Sequence, residues 1–427
     1  MVNINKLLKQ VAVLLGSNLF AAGANFFSVI LLAKYLSANE FGSYVLLLAY
    51  VVVTAAFFNP QAWQGYIKYL SFHRRDFSTL TKHVVLYDLT CCLVGGLFAY
   101  SFAPVYLNLM SLDASYLPYI QLASIFVVLN QVSTAIGLLR FFEKFKLLAL
   151  QYVIGSGLFL LAVIYGCLND GTQVTWFFIA NISCLLIGVF FIQAMATFQV
   201  LKNNRIADDS ELKDDLPLDK KAFWQFNLFT HLTNIVDLPV REFDTILVGS
   251  LASVEASGIY KVIKQVGTIT TKFTSPITQV IYPELTKALA DNAADKVVFI
   301  FKKLTKSLFI ISIPTSVLLA LTMPWWLPLI FNETFLDYQI EFASYLVIHA
   351  MAVCMLGIHP IFLALGHVKK LLLITALANI AFVVGCLVLA PNLELLGIIF
   401  AILLQYSITI LLKWLIVKPQ LFVVKAY

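Results

Sequence analysis

Apolar runs of about 20 residues recur along the chain, separated by short polar breaks. They fall at roughly 10–33, 41–63, 83–106, 115–138, 147–168, 174–200, 223–250, 256–282, 304–329, 342–365, 371–390 and 397–417. A helix rises about 1.5 Å per residue, so a run of about 20 crosses a hydrocarbon core of about 30 Å. The pattern predicts an all-α polytopic membrane protein with about twelve transmembrane helices. The first run follows Lys6 and Lys9, as the apolar core of a secretory leader would. It is longer than such a core and more spans follow, so it is expected to be a retained helix.

One polar break stands apart. The stretch "LKNNRIADDSELKDDLPLDKKA" (201–222) is long, charged and central in the chain. It predicts two six-helix lobes, 1–205 and 223–427, joined by a linker over 206–222. The halves repeat each other. "LAKYLSANEFGSYV" from Leu32 and "VGSLASVEASGIYK" from Val248 each join the first and second span of their half. Leu36 and Glu40 align with Leu251 and Glu255, and after a one-residue insertion Gly42, Tyr44 and Pro60 align with Gly258, Tyr260 and Pro276. Six helices return the chain to the same side, so the repeats run parallel. Two parallel halves about an axis along the membrane normal, with a central cavity between them, is a recurrent transporter plan.

Composition agrees with this picture: 60% of the residues are apolar and 12% charged, against about half and a quarter in soluble domains. Charge then orients the helices. Alternate breaks on one side, with Lys306 just inside the ninth run, hold 23 of the 29 lysines and arginines, and the opposite breaks hold only Lys34. The positive-inside rule places both termini in the cytoplasm. The net charge of +6 is this topological bias and gives no reason to expect nucleic acid. The six cysteines lie in or beside apolar runs, without metal-ligand spacing, so no metal site is expected.

The remaining five basic residues, Arg241, Lys261, Lys264, Lys272 and Lys413, fall inside predicted spans. On the seventh span Asn227, His231, Asn234, Asp237, Arg241 and Asp244 follow three or four apart and share a face. On the eighth, Lys261, Lys264, Thr268, Lys272, Ser275 and Gln279 form a second polar stripe. A charge facing lipid costs at least about 2.5–3.5 kcal/mol, so these stripes must line an aqueous cavity or pair internally. For Arg241 both outcomes fit, since Asp237 and Asp244 flank it on one face. Lys261 and Lys264, with only Glu255 nearby on their own helix, point to a cavity that receives an anion such as a phosphate or pyrophosphate. Lys272 and Lys413 also suit snorkelling to an interface. Asp88 is either an interfacial carboxylate or a proton site. The corresponding first-lobe face is polar but uncharged, through Asn18 and Asn25, which fall close to the Asn234 and Arg241 positions.

The run "LLAKYLSANEFGSYVLLLAYV", carrying Leu36, Ser37, Glu40, Phe41, Gly42 and Tyr44, resembles the opening motif of the polysaccharide transporter family. These are the Wzx-type lipid-linked oligosaccharide flippases of the multidrug/oligosaccharidyl-lipid/polysaccharide (MOP) exporter superfamily. "DTILVGSLASVEASGIY" is its looser partner in the second half. The resemblance implies a two-lobed MOP/MATE-like fold in the bacterial inner membrane. It also implies transfer of an undecaprenyl-pyrophosphate-linked oligosaccharide, such as an O-antigen unit of lipopolysaccharide, to the outer leaflet. Coupling to H+ or Na+, with no other cofactor, and glycan polymerase and chain-length proteins as partners, would follow. Arg241, Lys261, Lys264 and Lys272 match the cations expected to hold the pyrophosphate; Asp237, Asp244 and Asp88 are the candidates for pairing or coupling. No residue is expected to be catalytic. A cation-coupled multidrug exporter of the same superfamily is the nearest alternative, and the basic stripe disfavours it. A membrane glycan polymerase or ligase would need larger outer loops. The P-loop motif of an ATP-driven pump is missing from the sequence.

Overall fold

A computed structural model describes residues 4–72, 76–169, 171–202, 219–267, 293–365 and 367–422, together with 281, 285, 288 and 289. Every regular element among them is helical. The first six predicted spans appear as α1 (Ile4–Tyr35), α2 (Ala38–Phe58) with α3 (Trp63–Phe72), α4 (Phe77–Leu109), α5 (Leu117–Leu129) with α6 (Ser133–Phe141), α7 (Phe145–Leu168) and α8 (Val174–Lys202). Then follow α9 (Lys220–Leu238), a π-helical stretch Pro239–Phe243, α10 (Asp244–Leu251) and α11 (254–267). The chain closes with α12 (Ala294–Leu321), α13 (Met323–Ile330), α14 (Gln339–Cys354), α15 (Ile358–Ala364) and α16 (Val368–Phe422).

Among the described residues, nine segments are long and apolar enough to cross a membrane. The last, Lys370–Leu421, contains two predicted spans, because α16 is two helices that meet at Glu394, where φ is 47° and ψ −126°. Ten of the twelve expected spans are thereby accounted for. The other two are the seventh, which the π-helical stretch divides and the polar stripe makes less apolar, and the eighth, which continues beyond the described residues. The chain is therefore a multi-pass membrane protein. Its outward faces agree: Leu161, Leu168, Ile311, Leu318, Leu321 and Val388 are all more than 60% exposed. Water would penalise such a band, but lipid does not.

Two compact units divide after Leu238 rather than within the 206–222 linker, most of which lies outside the described residues. The first comprises Met1–Leu36 and Ser43–Leu238; the second comprises Ser37–Gly42 and Pro239–Tyr427. The reason for the late division is the packing of α9. Phe223 is buried against Tyr69 of α3, with ring centroids 5.2 Å apart, and Trp224 meets Tyr87 of α4 at the same distance. His231 Nε2 donates to Phe57 O (2.8 Å), and His231 Nδ1 then accepts from Tyr87 Oη (3.3 Å). These bonds fix α9 to the first unit. The core beneath them includes Tyr66, Leu80, Leu139 and Ile192, while the second unit packs Val297, Phe301, Ile361, Phe362 and Val417.

The repeat motifs become helix starts. Ser37 and Glu40 form a capping box: Ser37 N and Oγ both donate to Glu40 Oε2 (2.9 and 2.7 Å), and Glu40 N donates to Ser37 Oγ (3.3 Å). In the second motif Ser253 Oγ accepts from Ala256 N (2.9 Å). Ser253 therefore corresponds to Ser37, and the offset of 216 already applies at the caps. Glu255 is not the counterpart of Glu40; that place belongs to Ala256. The two motif glycines meet. A β-carbon on Gly258 would lie 2.9 Å from Phe41 Cδ1 and 3.1 Å from Gly42 N, and one on Gly42 would collide with Val254 O. Ser257 Oγ donates to Gly42 O (3.3 Å), closing the contact.

Candidate functional site

The predicted charged stripe is real but divided. Asn227, His231, Asn234 and Asp237 belong to the first unit, and Arg241 and Asp244 to the second. Pro239 cannot donate a backbone hydrogen bond, and the chain widens into a π-turn from Pro239 to Phe243. That turn breaks the three-to-four spacing on which a common face for Arg241 and Asp244 rested. Asp244 is 1% exposed and its carboxylate is fully engaged. Lys264 Nζ donates to both carboxylate oxygens (2.8 and 2.7 Å), Tyr260 Oη donates to Oδ2 (2.6 Å), and Thr245 N donates to Oδ1 (2.8 Å). Asp244 thus has a cationic partner on the next helix, Lys264; the side chain of Arg241, its expected partner, lies outside the described atoms.

This knot has a chemical consequence. The buried carboxylate is satisfied by an ammonium and two further donors, and it serves as the counter-ion of Lys264. Lys264 is thus primarily an internal counter-ion, with its side chain 23% exposed. Lys261, one turn earlier on α11, is half-buried and makes no hydrogen bond or close salt bridge among the described residues, and it lies within electrostatic reach of Glu242, Asp244 and Lys264. An aromatic wall extends from the knot: Tyr260 meets Tyr345 edge to face, and Tyr345 stacks on His349 at 5.9 Å.

The other predicted residues are placed as follows. Arg241 lies in the π-turn, and its side chain is outside the described atoms; Lys272 lies outside the described residues. Asp237 is exposed on α9, Asn18 and Asn25 are exposed on α1, and Asn234 Nδ2 is buried without a partner. Lys413 does not snorkel. It is 8% exposed and donates to His359 Nδ1 of α15 (3.2 Å).

Asp88 is buried within the protein. It is 1% exposed on α4, and Oδ2 accepts from Ser133 N, the first residue of α6 (2.9 Å). Around it two spans are interrupted side by side. Between α2 and α3 the chain unwinds through Asn59, Pro60 and Gln61, where Gln61 has φ 47°; between α5 and α6 it unwinds at Asn130–Val132. Asn59 Nδ2 donates to Asn130 O (3.1 Å), Ala62 N donates to Ser133 Oγ (3.1 Å), and Cys92 Sγ donates to Asn130 O (3.7 Å). The continuous spans predicted at 41–63 and 115–138 are each two half-helices. The breaks coincide with Asn59-Pro60 and Asn130-Gln131, polar steps too short to lower the hydropathy of their runs.

Comparison with known proteins agrees with this architecture. Residues 215–340 match a family described as polysaccharide biosynthesis protein. No curated protein matches the chain in sequence. A multidrug resistance MATE family transporter in an inward-facing conformation is 14% identical with a TM-score of 0.73, over 94% of each chain. The lipid II flippase MurJ is 13% identical at 0.69, over 94% of this chain and 86% of that one. A MOP superfamily transporter from Pyrococcus furiosus, noted for a binding pocket of reversed polarity, is 16% identical at 0.60, over 99% and 96%. The fold is that of the MOP exporter superfamily. The family resemblance seen in the opening motif is met at the level of fold and, in the second half, by the polysaccharide match. That match runs from α9 to the start of α14, so the Asp244–Lys264 knot and Lys261 lie within it.

Proposed function

We propose that this MOP-type protein is a flippase for a polyprenyl-pyrophosphate-linked oligosaccharide, in the undecaprenyl class, working by alternating access in a bacterial inner membrane with both termini cytoplasmic. The observation that carries the proposal is Lys261: a half-buried ammonium with no hydrogen bond or close salt bridge among the described residues, beside a Lys264 held by Asp244. A half-buried cation without a direct hydrogen-bonded counter-ion is costly in a membrane, and an anionic head group supplies one. Lysine supplies a point charge to phosphate oxygens, and Arg241, if it faces the same side, supplies a forked donor. Lys272 would extend this path. The polyprenyl tail stays in lipid, so only the head needs a polar route. The matched family description and the lipid II flippase among the structural neighbours support a lipid-linked glycan as cargo. Such cargo is consumed by polymerase and chain-length proteins, the partners proposed here. An ion gradient of H+ or Na+ drives the cycle.

Replacing Lys261 by Met tests this in cells that depend on the protein for surface glycan. Surface glycan should fall at least tenfold, about 1.4 kcal/mol of lost binding, at unchanged protein level, while Lys261→Arg retains most of it. Normal glycan from Lys261→Met would exclude the assignment. Efflux of a lipophilic cation by the wild type would instead favour the multidrug alternative.

A further inference from the structure

We propose that the first unit binds a neutral sugar segment in the hollow between the ends of α5, α7 and α8. This hollow, of about 610 Å³, is lined by Tyr119, Tyr165, Asn169, Thr172, Gln173 and Trp176 among others. It lies at the break 169–173, which holds no lysine or arginine, so on the orientation read from charge it opens on the outer side. The proposal deepens the glycan reading above and rests on it for the source of the sugar.

The hollow is held in shape from beneath. Tyr35 Oη, at the end of α1, donates to Asn169 O (2.9 Å) and accepts from Thr172 N (3.1 Å). Thr172 Oγ1 also donates to Asn169 O (2.8 Å), and Asn169 Nδ2 donates to Tyr165 O (2.7 Å). The turn from α7 to α8 is thus tied to two helices. Gly166 lets the rings of α8 lie against α7: a β-carbon there would stand 2.5 Å from Phe177 Cε1 and 3.0 Å from Trp176 Nε1. Phe177 is fully buried and anchors this turn of α8, while Trp176 beside it stays 45% exposed. Its ring meets Tyr165 with centroids 6.0 Å apart and planes tilted by 48°.

Anchoring at a membrane interface explains single tyrosines and tryptophans. It leaves the amides unexplained. Asn169 Oδ1 and the whole Gln173 amide have no hydrogen-bond partner among the described residues, and both line the same hollow as the rings. A pyranose matches this pairing. Its C–H faces carry slight positive charge and pack on the negative faces of aromatic rings. Its hydroxyls both donate and accept, as a primary amide does. Among the described residues no lining side chain is charged, so a phosphate or carboxylate has no cation to meet there. The volume falls within the range of about 300–1,000 Å³ usual for small-molecule pockets, and the lining has their make-up of aromatic walls with a few placed polar groups.

The test uses purified full-length protein in nanodiscs, free of sugar-headed detergent. Maltotriose, cellotriose, chitotriose and a galactose disaccharide are titrated in turn, and binding is read by saturation-transfer NMR on the sugar. At least one should bind saturably in the millimolar range. Trp176→Ala should weaken it at least fivefold and Gln173→Ala several-fold, while Trp176→Phe keeps most of it. Trp325, 75% exposed on α13, is the control for a general effect of interfacial rings. No saturable binding of any of these sugars, or equal loss in Trp325→Ala, overturns the proposal. So does saturation by phosphoethanolamine in place of a sugar, which would give the hollow to a lipid head group. If Trp176→Ala fails to fold, Gln173→Ala decides: unchanged binding in that variant overturns the site. Translocation of lipid-linked oligosaccharide by the same variants names the source. Several-fold slower translocation in Trp176→Ala gives the bound segment to the cargo; unchanged translocation with sugar binding lost gives it to free glycan at the outer surface. Wild-type protein that binds sugar but translocates nothing overturns the flippase reading and keeps the site, whereas translocation without sugar binding overturns the site alone.

Discussion

At the scale of single residues, the Asp244–Lys264 pair separates two jobs that a basic stripe can do. Lys264 neutralises a buried acid; Lys261 beside it does not. Removing one member of a buried pair leaves the other uncompensated, at a cost of about 3–5 kcal/mol. Lys264 is partly exposed, so the cost of Asp244→Asn should fall at the lower end, near about 3 kcal/mol. The double change Asp244→Asn with Lys264→Met should recover most of that loss, measured by thermal unfolding in detergent. Recovered stability with glycan export still absent would show that the pair also serves the cargo. Recovered export would confine it to structure. Tyr260→Phe removes one donor to a charged acceptor and should cost about 1.5–3 kcal/mol in the same measurement.

At the scale of elements, contacts between interrupted or capped helices matter more than the helices themselves. Gly42 and Gly258 allow the two repeat motifs to touch, and Gly42→Ala places a methyl against the Val254 carbonyl. Overpacking of this kind costs about 1–3 kcal/mol, so the variant should melt earlier and accumulate less in the membrane. Asn59→Ala removes the donor to Asn130 O and the acceptor for Gln61 N, and should destabilise by about 1–3 kcal/mol. The helices were legible in the sequence because a span needs only length and apolarity. The interruptions were not, because one Asn-Pro or Asn-Gln step hardly lowers the hydropathy of a run. The stripe was read at 3.6 residues per turn, and the π-turn at Pro239–Phe243 changes that count. Long-range partners such as Lys264 for Asp244, twenty residues apart, or Ser133 for Asp88, forty-five apart, have no local signal at all.

At the scale of the whole molecule, the described residues form two compact units of a MOP-type fold whose lipid face is apolar and whose second unit carries a half-buried lysine with no close salt bridge among the described residues. The basic residues concentrated on one side predict cytoplasmic termini; reporter fusions at Asn5, Leu212 and Lys425 should all report cytoplasm. The central claim is that the cations receive the pyrophosphate head of a lipid-linked glycan. Its most direct test is translocation in proteoliposomes loaded with polyprenyl-pyrophosphate-linked oligosaccharide, scored by exposure of the glycan to an added lectin. Wild-type protein should expose the inner-leaflet glycan under an imposed ion gradient, and Lys261→Met should slow exposure at least tenfold, about 1.4 kcal/mol, with the protein folded. Equal rates for the two proteins, or no translocation by the wild type, would contradict the account.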